Sequence, residues 1–214
     1  MVWCHGLAVS GILDYESYRT PVIEAGFVVR EKEWVELMEQ QLNEHLVKRS
    51  RDLIVRVGMK IPYGFEITTY EPEPHGKVIK YETDLVVLES DENDHWKPRL
   101  IIECKIKTIN THESITYSQK ASNHKSVHPY LRYGIILGHR GSLPLPGRLI
   151  RHGANFDFMM SFSDLVPSQN EITDFVRVIR HEIEASQTLE NLYYQSRKQS
   201  RLRYTLFHRR LVVG

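Results

Sequence analysis

The chain has 214 residues, of which 41% are hydrophobic and 26% are charged, and its formal net charge is +1. This length can bury the core of one domain, and the composition is ordinary for a soluble globular protein. No apolar run approaches the roughly 20 residues that cross a bilayer, and no signal-peptide pattern opens the chain, so we expect neither a membrane partner nor secretion.

The chain contains two cysteines, Cys4 and Cys104. Because Cys104 lies within an apolar, strand-like run, two reduced thiols are favoured over a disulfide. No CxxC pair and no tight His/Cys cluster is present, which argues against a zinc site. We therefore predict a cytoplasmic protein.

No repeat, low-complexity tract or linker divides the chain, which favours a single domain with additions at its two ends. Residues 1–29 are expected to form an N-terminal extension packed on the core. Residues 30–160 are expected to form the core, and residues 161–214 a helical extension of the same domain.

The first predicted element is a helix from about Arg30 to Lys48, because apolar residues recur there at three- and four-residue spacing. The run Leu53–Val57 is typical of a strand. Met59–Gly64 is turn-like, and Phe65–Tyr70 is a predicted partner strand. Glu71–Gly76 contains two prolines and a glycine, so it is predicted to be a loop.

Two apolar strands are predicted next, at Tyr81–Leu88 and Arg99–Ile109. The first is apolar on both faces after Asp84, as in the central strand of a sheet. The polar loop between them is long enough for a hairpin but too short for a helical crossover.

A polar helix is predicted from about Ser114 to Val127, where a proline follows, and Tyr133–Leu137 is predicted as a short buried strand. The glycine- and proline-rich stretch from Gly138 to Gly147 is predicted as a loop, and Phe156–Met160 as a last strand.

A long helix is predicted after Ser168, which is placed as an N-cap with Glu171 three residues later. Its apolar stripe consists of Ile172, Phe175, Val176, Ile179, Ile183, Leu189 and Leu192. The order of elements predicts an α/β fold, a sandwich around a mixed central sheet. From Gln195 onward there are six Lys/Arg residues and no acid, typical of either a phosphate-binding surface or a solvated tail.

The residues that suggest chemistry lie on the two central strands. Side chains alternate along a strand, so Glu103 and Lys105 point to one side and Cys104 to the other. Asp84 interrupts the preceding apolar strand in the same way. If the two strands are antiparallel neighbours, Asp84 and Glu103 meet at one point of the sheet. Unpaired buried charges are costly, so such a cluster indicates a functional site.

This cluster predicts a Mg²⁺ site, because Mg²⁺ is held in proteins by one or two carboxylates together with water and phosphate oxygens. Asp84 and Glu103 would supply the carboxylates, and the backbone carbonyl of Cys104 a further oxygen. Lys105 would hold or help deprotonate an attacking water and offset charge on the phosphate. The alternative is a buried Glu103–Lys105 salt bridge with Asp84 at a strand entry.

The arrangement of Asp84, Glu103 and Lys105 resembles the PD-(D/E)XK, restriction-endonuclease-like nuclease superfamily, whose core runs αβββαβ. The position before Asp84 is Thr83 instead of the proline of the motif's name. The resemblance covers about Arg30 to Leu137. It implies a Mg²⁺-dependent endodeoxyribonuclease, with Mn²⁺ as an alternative ion.

The resemblance also implies roles for residues outside the motif. Members similar to Holliday-junction resolvases have a glutamate at the start of the first helix, which matches Glu31 or, almost as well, Glu39. The helix after the lysine strand often carries a glutamine near the scissile phosphate, which matches Gln119. On the same helix, Lys120, His124 and Lys125 are candidate contacts to the DNA backbone. Independently of the resemblance, Arg140, Arg148 and Arg151 cluster in the glycine-rich loops after Leu137, where they are candidate contacts to phosphates or base edges.

Among nucleases with this motif, a small type II restriction endonuclease fits a single catalytic domain best. Such enzymes usually cut as homodimers, and the C-terminal helix could supply the dimer surface. A repair or junction-resolving nuclease and a non-cleaving DNA-binding module remain alternatives. The chain has no GxxxxGK(S/T) and no GxSxG, which argues against a nucleotide motor and a serine hydrolase.

Overall fold

The structure is a computed structural model that describes residues 22–24, 27–46 and 52–194, with side chains described for 30–46 and 52–194. Cys4 and the basic segment after Gln195 lie outside these residues, as does most of the predicted N-terminal extension. Within the described residues, no helix has the length and apolar character needed to span a membrane.

Nine strands and four helices make up this part of the chain. In chain order they are β1 (Val22–Glu24), β2 (Phe27–Val29), α1 (Glu31–His45), β3 (Leu53–Val57), β4 (Lys60–Tyr70), β5 (Pro74–Glu82), β6 (Leu85–Ser90), β7 (Trp96–Ile106), α2 (Thr111–Val127), β8 (Arg132–Gly138), α3 (Gly147–His152), β9 (Phe158–Ser161) and α4 (Gln169–Tyr194).

The central sheet has five strands in the order β3-β6-β7-β8-β9. The β3/β6 and β6/β7 pairs are antiparallel, whereas β7/β8 and β8/β9 are parallel. The chain returns from β7 to β8 through α2, as a parallel connection requires. The predicted α/β architecture, with a mixed sheet flanked by helices and a long C-terminal helix, is confirmed.

The largest error in the sequence prediction lies between β3 and β6. Residues 60–64 of the predicted turn belong to β4, and residues 74–76 of the predicted loop belong to β5, because these strands form a long antiparallel hairpin. Only residues 71–73 of the predicted loop form a turn, the one that joins the two strands. β4 pairs with β5, and Leu53–Val57 pairs with β6 instead. Pro62 is tolerated because it adjoins a bulge in a two-stranded sheet, where a missing ladder hydrogen bond costs little.

Other boundaries shift for local reasons. β6 begins at Leu85, and not at Tyr81 as predicted. α2 begins before Ser114, because Asn110 and Glu113 form a reciprocal capping box, each side chain accepting a hydrogen bond from the other's backbone N–H. The stretch that holds Arg148 and Arg151 is the short helix α3, and not a loop.

Two apolar clusters pack on opposite faces of the sheet. The first lies beneath α1 and α4 and includes Trp34, Phe162, Phe175, Leu85 and Ile102. The second lies on the α2 side and includes Val86, Ile101, Tyr133, Ile135 and Leu137. On the first face the contact between α1 and β8 depends on Gly138, since a Cβ there would lie 2.7 Å from the Trp34 ring.

Candidate active site

The antiparallel pair β6/β7 brings Asp84 next to Glu103. Leu85, at the start of β6, is opposite Ile102 of β7. Asp84, which precedes Leu85, is therefore opposite Glu103, which follows Ile102. Asp84 Oδ2 accepts a hydrogen bond from the Cys104 N–H at 2.9 Å. Val86 and Ile101 belong to the α2-side cluster, so the alternation of each strand directs Asp84 and Glu103 to that same face.

Glu103 is the most buried acid of the site, with 1% of its surface exposed. Its Oε1 accepts hydrogen bonds from the Tyr133 hydroxyl at 2.5 Å and from Lys120 Nζ at 3.1 Å. Burial, and then the charge of Asp84, raise the pKa of Glu103 to about 7, although Lys120 and Tyr133 act in the opposite direction. The charge of Asp84 is therefore close enough to disfavour the ionisation of Glu103.

Lys105 is also buried, and its Nζ lies 3.0 Å from Glu31 Oε1 and 5.0 Å from the centre of the Tyr117 ring. Burial lowers the pKa of Lys105, but Tyr117 and Glu31 more than compensate, so the pKa stands above its usual value. The ammonium form is thus retained at neutral pH. The ion pairs formed are Lys105–Glu31 and Lys120–Glu103, instead of the alternative Glu103–Lys105 salt bridge.

The two candidate glutamates of the first helix occupy different surroundings. Glu31 is the first residue of α1 and is buried against Lys105. Glu39 lies eight residues later and is half-buried, which is about 12 Å further along the helix axis. The structure therefore brings Glu31 to the cluster and leaves Glu39 away from it.

On α2, the residues that reach the site are Tyr117 and Lys120 rather than Gln119. Residues three apart share a helix face, and Lys120 Nζ lies 5.2 Å from the centre of the Tyr117 ring. Gln119 is exposed, and its Nε2 donates to Asn123 Oδ1 at 2.8 Å. The sequence prediction did not include Tyr117, although its three-residue spacing from Lys120 was a usable signal. Lys120 itself was predicted as a contact to the DNA backbone.

Tyr133 was also missed, and no local pattern distinguishes it from the other apolar positions of β8. Its hydroxyl reaches Glu103 because β7 and β8 are parallel with Ile101 opposite Tyr133, and both residues face α2. Burial, with the charge of Glu103 next, raises the pKa of Tyr133 well above its usual value. It therefore serves Glu103 as a neutral hydrogen-bond donor.

The remaining predicted DNA contacts differ in accessibility. His124 is fully buried and its Nδ1 lies 3.0 Å from the Pro62 carbonyl oxygen, so it cannot reach a phosphate. Lys125 Nζ pairs with Asp157 at 2.9 Å, and the Arg140 guanidinium donates to backbone carbonyls of nearby loops. Arg148 and Arg151 are exposed on α3.

The residue types fit a hard divalent cation. Among the described residues, no group of three or more His, Cys, Asp or Glu side chains is arranged to hold a metal ion. Mg²⁺ however needs only one or two carboxylates besides water and substrate oxygens. Asp84 and Glu103, which lie opposite each other where β6 pairs with β7, match that donor set. The Cys104 carbonyl as a third ligand stays a prediction.

Neither a model of a known protein family nor a curated protein matches the sequence.

Proposed function

We propose that this protein hydrolyses DNA phosphodiester bonds with a bound divalent cation, Mg²⁺ or alternatively Mn²⁺, as an endonuclease of the PD-(D/E)XK class. The observation that carries the proposal is the β6/β7 register, which sets Asp84 opposite Glu103 with Lys105 two residues further along the same strand. The element order α1, β3, β6, β7, α2, β8, with one hairpin inserted, agrees with an αβββαβ core. Within that class, the proposed enzyme is a type II restriction endonuclease that acts as a homodimer, because a single catalytic domain suits such an enzyme.

Some side chains of the site would bind the cation, and another would compensate negative charge on the phosphate. Asp84 and Glu103, with the Cys104 carbonyl, would hold the cation. When bound, such a cation lowers the pKa of a water ligand and offsets negative charge on the phosphate. Lys105 keeps its proton and lies next to these acids, so it would donate hydrogen bonds to the water or to a phosphate oxygen.

Three further residues would set the position of that machinery. Glu31 fixes the Lys105 ammonium through their 3.0 Å ion pair. Tyr133 and Lys120 hold the Glu103 carboxylate from one side, leaving its second oxygen to act as a ligand. Arg148 and Arg151, exposed on α3, are the predicted arginines best placed to contact the DNA backbone.

Plasmid cleavage tests the proposal directly. The full chain would be incubated with supercoiled plasmid and Mg²⁺ or Mn²⁺, beside Asp84→Asn, Lys105→Ala and, as a matched control on α1, Glu39→Gln. We expect the wild type and Glu39→Gln to cut, and the two site variants to lose on the order of a thousandfold in rate, about 4 kcal/mol of barrier. Calorimetry with Mn²⁺ should show that Asp84→Asn loses metal binding while Lys105→Ala retains it.

The products identify the class of nuclease. Discrete bands support a restriction enzyme, whereas cleavage confined to branched DNA supports a junction-resolving enzyme. Cutting that survives in Asp84→Asn and Lys105→Ala would remove the site from consideration.

One observation favours a second candidate, a DNA-binding module that does not cut. Glu103 is already compensated by Lys120 and Tyr133, as an acid in a purely structural ion pair would be. This candidate predicts DNA binding without cleavage in any divalent metal, and no heat of Mn²⁺ binding in the calorimeter.

A further inference from the structure

The β4–β5 hairpin extends well beyond the sheet that carries the site. Its base is packed, with Ile61 fully buried and the rings of Tyr63 and Tyr81 stacked 3.5 Å apart near His124. From Phe65 to the turn and back to Val78, every residue is exposed. An isolated two-stranded hairpin is marginally stable in water, so this distal part gains stability if something covers it.

One face of the distal hairpin is apolar. Phe65 is opposite Val78, Ile67 is opposite Gly76, and after a bulge Tyr70 is opposite Pro74. Directly opposed residues share a face, and these pairs are two residues apart along β5, so they form one stripe. The stripe contains four large exposed side chains: Phe65 (53%), Ile67 (47%), Tyr70 (67%) and Val78 (48%).

Within the stripe, the Phe65 ring packs against Gly76. A Cβ at Gly76 would lie 2.0 Å from the Glu66 carbonyl oxygen and 2.8 Å from the Phe65 ring, so the ring lies over the glycine. A contiguous exposed apolar surface of this kind is typical of a protein interface.

The charges at the two ends of the stripe indicate which kind of partner binds there. The turn carries Glu71 and Glu73, both exposed, and acids at the tip would repel DNA phosphates. The base end of the same face carries Lys80, opposite Pro62. Two hairpins packed face to face around a two-fold axis, running in opposite directions, place each acidic turn near the partner's Lys80.

We propose that this apolar face of the β4–β5 hairpin is a homodimer interface, occupied by the same face of a second copy. The C-terminal helix, which the sequence suggested for this purpose, uses the stripe residues Ile172, Phe175, Ile179 and Ile183 within its own chain. The hairpin interface does not depend on the proposed nuclease function. The base of the hairpin adjoins the candidate active site on the face opposite the stripe, because Lys120 Nζ lies 5.7 Å from the centre of the Tyr81 ring.

Sedimentation velocity of the full chain over a range of concentrations tests the interface. The wild type is expected to be a dimer. Phe65→Glu and Val78→Lys, which put a charge in the apolar stripe, should raise the dimer dissociation constant roughly thirtyfold or more. Val166→Lys is the matched control, since Val166 is 67% exposed but lies outside the hairpin, and this variant should dimerise like the wild type.

A charge exchange keeps the test informative if a single variant disturbs the hairpin itself. Lys80→Glu should weaken the dimer, and adding Glu71→Lys and Glu73→Lys to the same chain should restore it. A wild type that stays monomeric at every concentration, or a Val78→Lys protein that dimerises with the dissociation constant of the wild type, overturns the proposal. So does loss of DNA binding in Phe65→Glu with the dimer intact, which would make the hairpin a nucleic-acid contact.

Discussion

On one face of the five-stranded sheet, α1 and α4 enclose a cluster in which Phe162 meets Trp34 and Phe175 edge to face, at ring-centre distances of 6.3 and 5.3 Å. On the other face, α2 covers a second apolar cluster that ends in charged groups. There Asp84, Glu103 and Lys120 lie among Tyr117 and Tyr133, and Lys105 joins them from the end of β7.

The two faces differ in how burial affects the stability of the protein. Burying aromatic and aliphatic surface on the first face stabilises the protein at no electrostatic cost. On the second face the same strands bury an acid whose pKa is raised to about 7, a condition that costs stability at neutral pH. Sites that break the rules of core packing in this way are where function is expected.

The largest effect is expected from a cavity in the apolar cluster beneath α1 and α4. Phe175→Ala should lower the free energy of unfolding by about 3–5 kcal/mol, because Phe175 is fully buried and its removal leaves a cavity between α4 and Phe162. Urea denaturation followed by circular dichroism measures this change. Val166→Ala, at an exposed position, should stay within about 0.5 kcal/mol of the wild type. A comparably small cost for Phe175→Ala would mean that the α1/α4 face is not the main source of stability.

The second-largest expected effect is an increase in the free energy of unfolding, caused by a substitution at Glu103. The folded-state pKa of Glu103 is raised from 4.5 to about 7, so the folded protein binds more protons than the unfolded chain between those values. Its contribution is fully present below pH 4.5 and is lost as pH rises through about 7. Glu103→Gln is neutral at every pH and can still accept from Lys120 and Tyr133. It should therefore be more stable than the wild type at pH 8 by about 1–3 kcal/mol, with the difference vanishing towards pH 4.5.

Thermal or urea unfolding at several pH values between 4.5 and 8 gives this difference curve. Glu39→Gln makes the same chemical change on α1, away from the cluster, and should give no stabilisation at pH 8. If Glu103→Gln is destabilised at pH 8, the ion pair with Lys120 outweighs burial, and the second face is built for stability after all.

Much of the fold could be predicted because the deciding signals are local. The apolar runs around Asp84 and Glu103, joined by a loop too short for a helix, specify an antiparallel pair, and strand alternation then puts both acids on one face. The capping box at Ser168 and Glu171 is formed as predicted, with the Ser168 N–H donating to Glu171 at 2.8 Å.

The rest depends on contacts between distant residues. The β4–β5 hairpin was missed because Pro62 and Gly76 oppose strand structure locally, whereas pairing across a bulged two-stranded sheet accommodates both. Tyr133 joins the site only through the parallel register of β8 on β7. On α2, the helical repeat puts Tyr117 and Lys120 on one face, but this identifies them as site residues only when the face that packs on the sheet is known.

The smallest effect is expected at Gln119, the residue of α2 that the resemblance singled out. Its side chain is exposed, and its 2.8 Å hydrogen bond to Asn123 is an i,i+4 surface pair worth about 0.2–0.5 kcal/mol, which the higher helix propensity of alanine offsets. Gln119→Ala should thus change the free energy of unfolding by less than about 0.5 kcal/mol and plasmid cleavage by less than about twofold. Lys120→Gln, one position along, should alter Mn²⁺ binding in the same assays, since it removes the ammonium that lies 3.1 Å from Glu103. A tenfold loss of cleavage in Gln119→Ala alone would mean that α2 turns this residue towards the phosphate when DNA binds, and that the boundary between the two faces moves with the substrate.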